Sequence, residues 1–297
     1  MEFLSEDRVR ELLRYEDLIP AMEQALADFS AGRIRQPVRS VVGVPEHDGL
    51  WGIMPAVCGD VLGVKSVTVY EANAARGLPT HQATIELFRS TTGEPLAAMD
   101  GRLITEMRTA AVTAVAVRLL ASADARRLAI LGAGVQARAH AKALRMVRRF
   151  DEIRVWSRNP EHARQCATEI GANVMSAEEA VRDADAVVTV TYTMEPILRG
   201  AWLDRRAFVA AVGAIGPKRR ELDEEAMNAA VIVDSRAAAK VESGDILLSG
   251  AKIHAELGEL LNGRPVPGGR VVFKSLGLAI EDVVAAKLVW DRHSAGS

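Results

Sequence analysis

Cysteine is scarce in this chain. The two present, Cys58 and Cys166, lie far apart and belong to neither a CxxC pair nor a histidine-linked cluster. A disulfide-stapled scaffold and a thiolate metal centre are thereby disfavoured, and two reduced thiols are the expectation. The six histidines show no HExxH or comparable spacing, so no metal is expected. An excess of one charge is also missing: 37 Lys and Arg stand against 39 Asp and Glu, a formal net charge of -2. That balance gives no electrostatic reason to expect nucleic acid or a membrane surface as partner. No stretch approaches the roughly 20 apolar residues needed to span a bilayer. The opening run Met1-Glu2-Phe3-Leu4-Ser5-Glu6-Asp7 is acidic and has neither the basic start nor the apolar core of a secretory signal, so a cytoplasmic location is expected. Repeats, low-complexity tracts and Pro/Gly/Ser-rich linkers are absent too. What remains, 297 residues at 49% hydrophobic and 26% charged, suits one or two globular domains.

Against this plain background one run stands out. An apolar strand, Leu128 to Leu131, leads directly into Gly132-Ala133-Gly134-Val135-Gln136-Ala137, which opens a helical pattern. This is the dinucleotide fingerprint with alanine in the third glycine place. Gly132 permits the tight turn, Gly134 lets the backbone approach a pyrophosphate, and Ala137 is small enough for helix to pack on strand. Unbonded N–H groups at the helix start then face the anion. Glycines also mark ordinary turns, but here a strand precedes, a helix follows and a second strand is in place.

The rest of the chain divides around that motif. Helical patterns over 5–13 and 15–31 are followed by strand-like pieces at 38–44, 50–54, 63–70 and 82–89. Thr91-Thr92-Gly93-Glu94 then reads as a hairpin turn into 95–100. A long helix from Thr105 to about Leu120 bridges into alternating strands and helices: strands at 128–131, 153–156, near 172–175, 186–190, 207–212 and 231–233, helices at 135–148, 160–170, 176–182 and 223–229. Such alternation implies a parallel sheet covered on both faces. A last helix, 281–291, is expected to return to the first domain. The expected fold class is therefore α/β: a Rossmann-type doubly wound parallel sheet over 118–279, plus a discontinuous α+β domain formed by 1–117 and 280–297.

The second strand bears on which nucleotide is bound. NAD-preferring folds usually end it in Asp or Glu, which bonds the ribose 2′-hydroxyl. Here Ile153-Arg154-Val155-Trp156 ends in Ser157-Arg158-Asn159-Pro160, and Glu161 lies beyond, where the next helix starts. Arg158 reads either as a partner for a 2′-phosphate, with Ser157 donating beside it, or as a solvated loop arginine. The first reading makes NADP(H) the preferred cofactor, with NAD(H) possible. Val190 and Thr191, and Val212 one strand on, fall at strand ends over the crevice where a dinucleotide would cross.

Several blocks resemble the ornithine cyclodeaminase/mu-crystallin family, more its mu-crystallin (ketimine reductase) branch than the cyclodeaminases. They are Gln36-Pro37-Val38-Arg39, Leu78 to Thr84, Met99-Asp100-Gly101, Arg108-Thr109-Ala110-Ala111, the fingerprint itself, Glu242 to Gly250 and Phe273-Lys274-Ser275-Leu276-Gly277. Together they span nearly the whole chain. The resemblance implies a homodimer, with the 1–117 and 280–297 domain supplying both the substrate-binding pocket and the dimerisation interface, and NAD(P)H chemistry on imines or keto acids that carry a carboxylate. It also places Ser275 and Gly277 near the nicotinamide end.

Reducing a C=N bond calls for hydride at carbon, a proton at nitrogen and an anchor for the neighbouring carboxylate. Arg39, Lys65 and Arg108 are the candidate cations, and by the resemblance they would hold the substrate carboxylate, Lys65 doubling as proton donor. Lys65 lies in the otherwise apolar run Val61 to Val67; it is either a buried ammonium awaiting a partner or a snorkelling edge-strand lysine. Neighbouring arginines would pull its pKa toward the working pH. His81 is open to an acid/base or a structural role, and Glu71 to a place in a polar network or an exposed loop. Cyclodeaminases carry a catalytic aspartate in a Gly-Gly-Asp-x-Pro-Gly-type segment. The matching stretch here is Val212-Gly213-Ala214-Ile215-Gly216-Pro217, with isoleucine in its place. Isoleucine cannot take a proton, so deamination with ring closure is disfavoured. Reduction of a ketimine of the Δ1-pyrroline- or Δ1-piperideine-2-carboxylate type is the first expectation. An L-alanine dehydrogenase-like reaction and a nucleotide-dependent binding protein are the alternatives.

Overall fold

A computed structural model describes residues 1–296. It divides into two compact units, Met1–Arg108 with Leu278 onward, and Thr109–Gly277. The division falls inside the bridging helix, earlier than the expected boundary.

The first unit holds β1 (Glu2–Leu4), α1 (Glu6–Leu12), α2 (Tyr15–Ser30), β2 (Ser40–Val44), β3 (Gly49–Cys58), β4 (Val61–Tyr70), β5 (His81–Arg89) and β6 (Pro95–Asp100). It also holds the start of α3 (Arg102–Leu120) and the terminal helix Ala279–Ala295. Its six-stranded sheet has the order β1-β6-β5-β4-β3-β2 and is antiparallel, except that β1 joins β6 in parallel. Three residues carry no alternation to read, which is why β1 has no signal in the sequence. The terminal helix packs on β3, β4, β5 and α2. Its Val283 and Val289, with Leu18, Met22, Ile85 and Leu87, form part of a buried core. The Gln36 side chain accepts from Ile280 N (2.8 Å) and so satisfies one orphan N–H at that helix start. Strand β2 is the outer edge, with Val41 and Val42 exposed.

The second unit follows with β7 (Arg127–Leu131), α4 (Val135–Val147), β8 (Glu152–Trp156), α5 (Pro160–Ile170), β9 (Asn173–Val174), α6 (Ala177–Val181), β10 (Ala186–Thr189) and β11 (Phe208–Ala211). Then come α7 (Glu224–Met227), β12 (Ala230–Val233), α8 (Arg236–Glu242), α9 (Gly244–Ser249), β13 (Ile253–Glu256), α10 (Leu257–Leu261) and β14 (Val271–Lys274). All eight strands are parallel in the order β13-β12-β14-β11-β10-β7-β8-β9. Chain order reverses at β7, between β8 and β10, which marks the switch point where a doubly wound sheet opens a crevice. Central strands read as unbroken apolar runs (Leu128–Leu131, Ala186–Val188, Phe208–Ala211 are all buried) because both faces are covered. Elements α8, α9, β13, α10 and β14 lie beyond the alternation read from sequence, and β14 joins between β11 and β12, out of chain order.

Candidate functional site

In the second unit, β7 turns into α4 through the fingerprint. Gly132 sits at φ +132°, and a Cβ there would lie 2.8 Å from Val190 Cγ2 and 2.9 Å from Val190 O. Only glycine lets the turn lie this close to the crest of β10. At Gly134, by contrast, a Cβ would meet nothing within 4 Å. No side chain caps the start of α4, so its first N–H groups point into open space, the arrangement an anion needs. The Gln136 Oε1 is buried with no hydrogen-bond partner. The open space at Gly134 and the uncapped helix start fit a dinucleotide pyrophosphate. Arg138, missed in the sequence, holds the loop from behind: Nη1 donates to Ala133 O (2.8 Å) and Gly134 O (3.2 Å), while the guanidinium pairs with Glu169.

Beyond β8, Arg158 is exposed. Ser157 Oγ accepts from Asn159 N (3.3 Å), and the Asn159 side chain caps α5 by accepting from Glu161 N (2.9 Å) and His162 N (3.4 Å). Asn159 therefore works as a helix cap, stabilising by about 1 kcal/mol, and Glu161 starts the helix. On the crest, Thr191 turns its hydroxyl inward to Glu221 (2.8 Å), and Val212 is buried. Ser275 Oγ lies 3.5 Å from Asp234 Oδ2, which also accepts from Leu276 N (2.5 Å) and Gly277 N (2.8 Å). The side chains of Thr191 and Ser275 are thus engaged from below.

In the first unit, Lys65 is 2% exposed on β4, an interior strand, so it does not snorkel at an edge. Its expected partner was a bound carboxylate; the structure supplies an internal one, Asp282, with Nζ to Oδ2 at 2.6 Å. Arg108 is also buried. Its Nε donates to Asp282 Oδ1 (2.9 Å) and its Nη1 to Glu281 Oε2 (2.8 Å). Burial pushes the Lys65 ammonium down to a pKa of about 8; Asp282 opposes the fall, and the charges of Arg108 and Arg39 add to it. For Arg108, burial works against the charge, but Asp282 and Glu281 outweigh it and raise the pKa. His81 opens β5 with its surface still accessible; burial of part of its ring, then the Lys65 charge, lower its pKa, while Glu71 opposes. Glu71 is exposed, at the head of a short turn.

The first unit thus brings Lys65, Arg108 and the field of Arg39 to one place and adds Glu281 and Asp282. Two adjacent acids in the apolar run Ala279-Ile280-Glu281-Asp282-Val283 were the available signal for these counter-ions, since an apolar helix does not bury such charges unpaired.

Among the described residues, no group of three or more His, Cys, Asp or Glu is placed to hold a metal, and no helix is long and apolar enough to cross a membrane. Cys58 and Cys166 are free.

The sheet order, the switch point and the uncapped fingerprint define a Rossmann-type dinucleotide-binding protein with a second unit that buries an ion-pair cluster. The chain belongs to the ornithine cyclodeaminase/mu-crystallin family, whose profile matches residues 1–297. It is 48% identical to the ketimine reductase mu-crystallin of Mus musculus, over 99% of this chain and 98% of that protein. Among solved structures it resembles the Δ1-pyrroline-2-carboxylate reductase of Thermococcus litoralis, in complex with NADH and L-proline (TM-score 0.94, 34% identity, 100% of this chain and 98% of that one). An archaeal alanine dehydrogenase dimer with bound NAD is likewise similar (TM-score 0.95, 29% identity, 100% and 97%).

Proposed function

We propose that this protein reduces a small ketimine carrying a carboxylate, of the Δ1-pyrroline- or Δ1-piperideine-2-carboxylate type, to the L-amino acid. The observation that carries the reading is the buried cation cluster. Lys65 and Arg108 are buried and paired with Asp282 and Glu281, and the charge of Arg39 reaches Lys65. Ammonium and guanidinium N–H donors gathered in this way suit a substrate carboxylate. Arg39 and Arg108 would grip it through guanidinium N–H groups, and Lys65 would hold a proton for the imine nitrogen. With a pKa of about 8, Lys65 is mostly charged at neutral pH yet releases its proton readily. When bound, a nicotinamide dinucleotide supplies the hydride. Gly132 to Gln136 would cradle its pyrophosphate, and Arg158 with Ser157 would favour the 2′-phosphate of NADPH over NADH. Ile215 leaves no acid where the cyclodeaminase resemblance calls for one, which disfavours deamination. The exposed edge β2, with Val41 and Val42 and the neighbouring Trp51 at 42% exposure, supports a homodimer.

A second reading follows from the likeness to alanine dehydrogenase, because the same cations would anchor a 2-keto acid condensing with ammonia. Steady-state oxidation of NADPH and NADH separates the two. The panel is both cyclic imines, and pyruvate with and without ammonia. Fast turnover of a cyclic imine supports ketimine reduction, ammonia-dependent pyruvate turnover supports the second reading, and silence across the panel overturns both. Lys65→Ala should abolish reduction and leave NADPH binding unchanged; equal loss of both would make Lys65 structural.

A further inference from the structure

Glu221, in the segment between β11 and α7, is wholly buried, as are Asp245 and Lys274. Both Glu221 oxygens are occupied. Oε1 accepts from Thr191 N (2.7 Å) and Thr191 Oγ1 (2.8 Å); Oε2 accepts from Gly213 N (2.7 Å) and Ala214 N (3.2 Å). Its own N–H and that of Leu222 donate to Asp245 Oδ1 at 2.8 and 3.0 Å. Asp245 Oδ2 pairs with Lys274 Nζ at 2.9 Å, and Lys274 donates to Ala214 O at 2.6 Å. One carboxylate thus ties the crests of β10 and β11, and an ion pair fastens it to β14 and α9. At Gly213 a Cβ would lie 2.1 Å from Thr191 N, so the two crest backbones touch and a shift in one moves the other.

Buried ion pairs are a poor way to gain stability, since apolar side chains of similar volume often do as well or better. Four donors converging on one carboxylate do fix geometry, and the geometry they fix is local. In a doubly wound sheet the adenine half of a dinucleotide lies beyond the switch point on the β7–β8 side, and the nicotinamide half on the β10–β11 side. Glu221 acts only on the latter.

The geometry points to Glu221, secured by the Lys274–Asp245 pair, as the positioning residue for the nicotinamide half of the bound dinucleotide. It touches no reacting atom; it fixes the backbone at Thr191 and Gly213–Ala214 on which that half rests. This rests on the dinucleotide reading of the second unit, and the wild-type arm of the test examines that reading separately.

The experiment is calorimetric titration of wild type, Glu221→Gln and Thr191→Val with two ligands: NADPH, and 2′-phospho-ADP-ribose, which lacks the nicotinamide. In Glu221→Gln an amide NH2 opposes two of the four donors. NADPH should bind about ten-fold more weakly or worse, with the fragment changed less than about two-fold. The emission of bound NADPH should move toward that of the free form. Thr191→Val removes a single hydrogen bond in an otherwise similar shape; it covers the case of a misfolded Glu221→Gln and should weaken NADPH about three-fold, sparing the fragment. Equal weakening of both ligands makes the network merely structural, and unchanged affinity for both removes its role; either overturns the inference. If wild type ignores both, the same titrations are made with NADH and ADP-ribose, and failure there too would overturn the dinucleotide reading and the inference with it.

Discussion

Replacing Asp282 by asparagine should move the pH dependence of the reaction, and by an amount the structure sets. Asp282 lies 2.6 Å from Lys65 Nζ. At an effective dielectric of about 20 the pair attraction is about 6 kcal/mol, and losing one partner of a buried pair costs about 3–5 kcal/mol net. At about 1.4 kcal/mol per pKa unit, that lowers Lys65 by about 2–4 units from its value of about 8. No other acid offsets the change. Arg108 and Arg39 push Lys65 the same way, His81 adds no negative charge, and Glu281 is held by Arg108. As proton donor, Lys65 must be charged, so wild-type kcat/KM, which reports the free enzyme, should hold below pH about 8 and fall above it. In Asp282→Asn the break should move to pH about 6 or lower, cutting kcat/KM at pH 8 by about 50-fold or more and recovering as the pH falls. Initial rates of NADPH oxidation with subsaturating Δ1-piperideine-2-carboxylate from pH 5 to 9 measure this, with a thermal melt at each pH to confirm folding. A variant whose break stays near pH 8, or moves alkaline, refutes Lys65 as the group whose proton is used.

Three further outcomes are expected. Arg158→Ala should raise KM for NADPH about ten-fold or more and leave NADH nearly unchanged; equal effects on both would remove Arg158 from 2′-phosphate recognition. His140 is wholly buried, with Nδ1 2.7 Å from Gln136 O and Nε2 3.0 Å from Thr113 Oγ1, and burial lowers its pKa to about 4. Above pH 6.5 neither folded nor unfolded chain is protonated there. As pH falls, the unfolded chain takes a proton that the folded one refuses, so about 3 kcal/mol of stability is lost between pH 6.5 and 4. Urea midpoints of wild type and His140→Gln at pH 7.5 and 4.5 measure it, the variant showing the smaller drop. Val42→Glu should convert a dimer to monomer in sedimentation velocity, since a charge on the β2 edge opposes pairing; a dimer that survives it uses another face.

Local periodicity carried most of the fold, because each central strand of the second unit is an uninterrupted apolar run and each covering helix keeps its own spacing. Where elements are too short for a period, as in β1 and β13, nothing could be read. The placement of β14 between β11 and β12 depends on packing that no local pattern encodes. Half of the candidate site was visible as positive charge: Lys65 is conspicuous in its strand. Its complement showed only as two acids in an apolar run, and their pairing could not be read, because Asp282 is remote in sequence and meets Lys65 only when the terminal helix packs on β4. Lys274 breaks the apolar run Val271-Val272-Phe273 just as Lys65 breaks its own, a signal that pointed to Asp245 and went unused. Strand-end logic put Thr191, and the family resemblance put Ser275, near the crevice, but which way a hydroxyl turns depends on Glu221 and Asp234, which neither sees.

The terminal helix has a consequence for how the molecule comes into being. The second unit is one continuous stretch, Thr109–Gly277, whereas the first is assembled from both sides of it. During synthesis the nucleotide-binding sheet has all its strands before the helix at 279–295 emerges, and domains generally fold as units once their residues are available. Until then β4 carries Lys65 beside Arg108 with neither Asp282 nor Glu281 in place. The nascent chain therefore holds two uncompensated cations in a half-built core, and the arrival of one helix both closes that core and silences the repulsion. Released chains truncated after Gly277 should bind dinucleotide while their first 108 residues remain sensitive to protease.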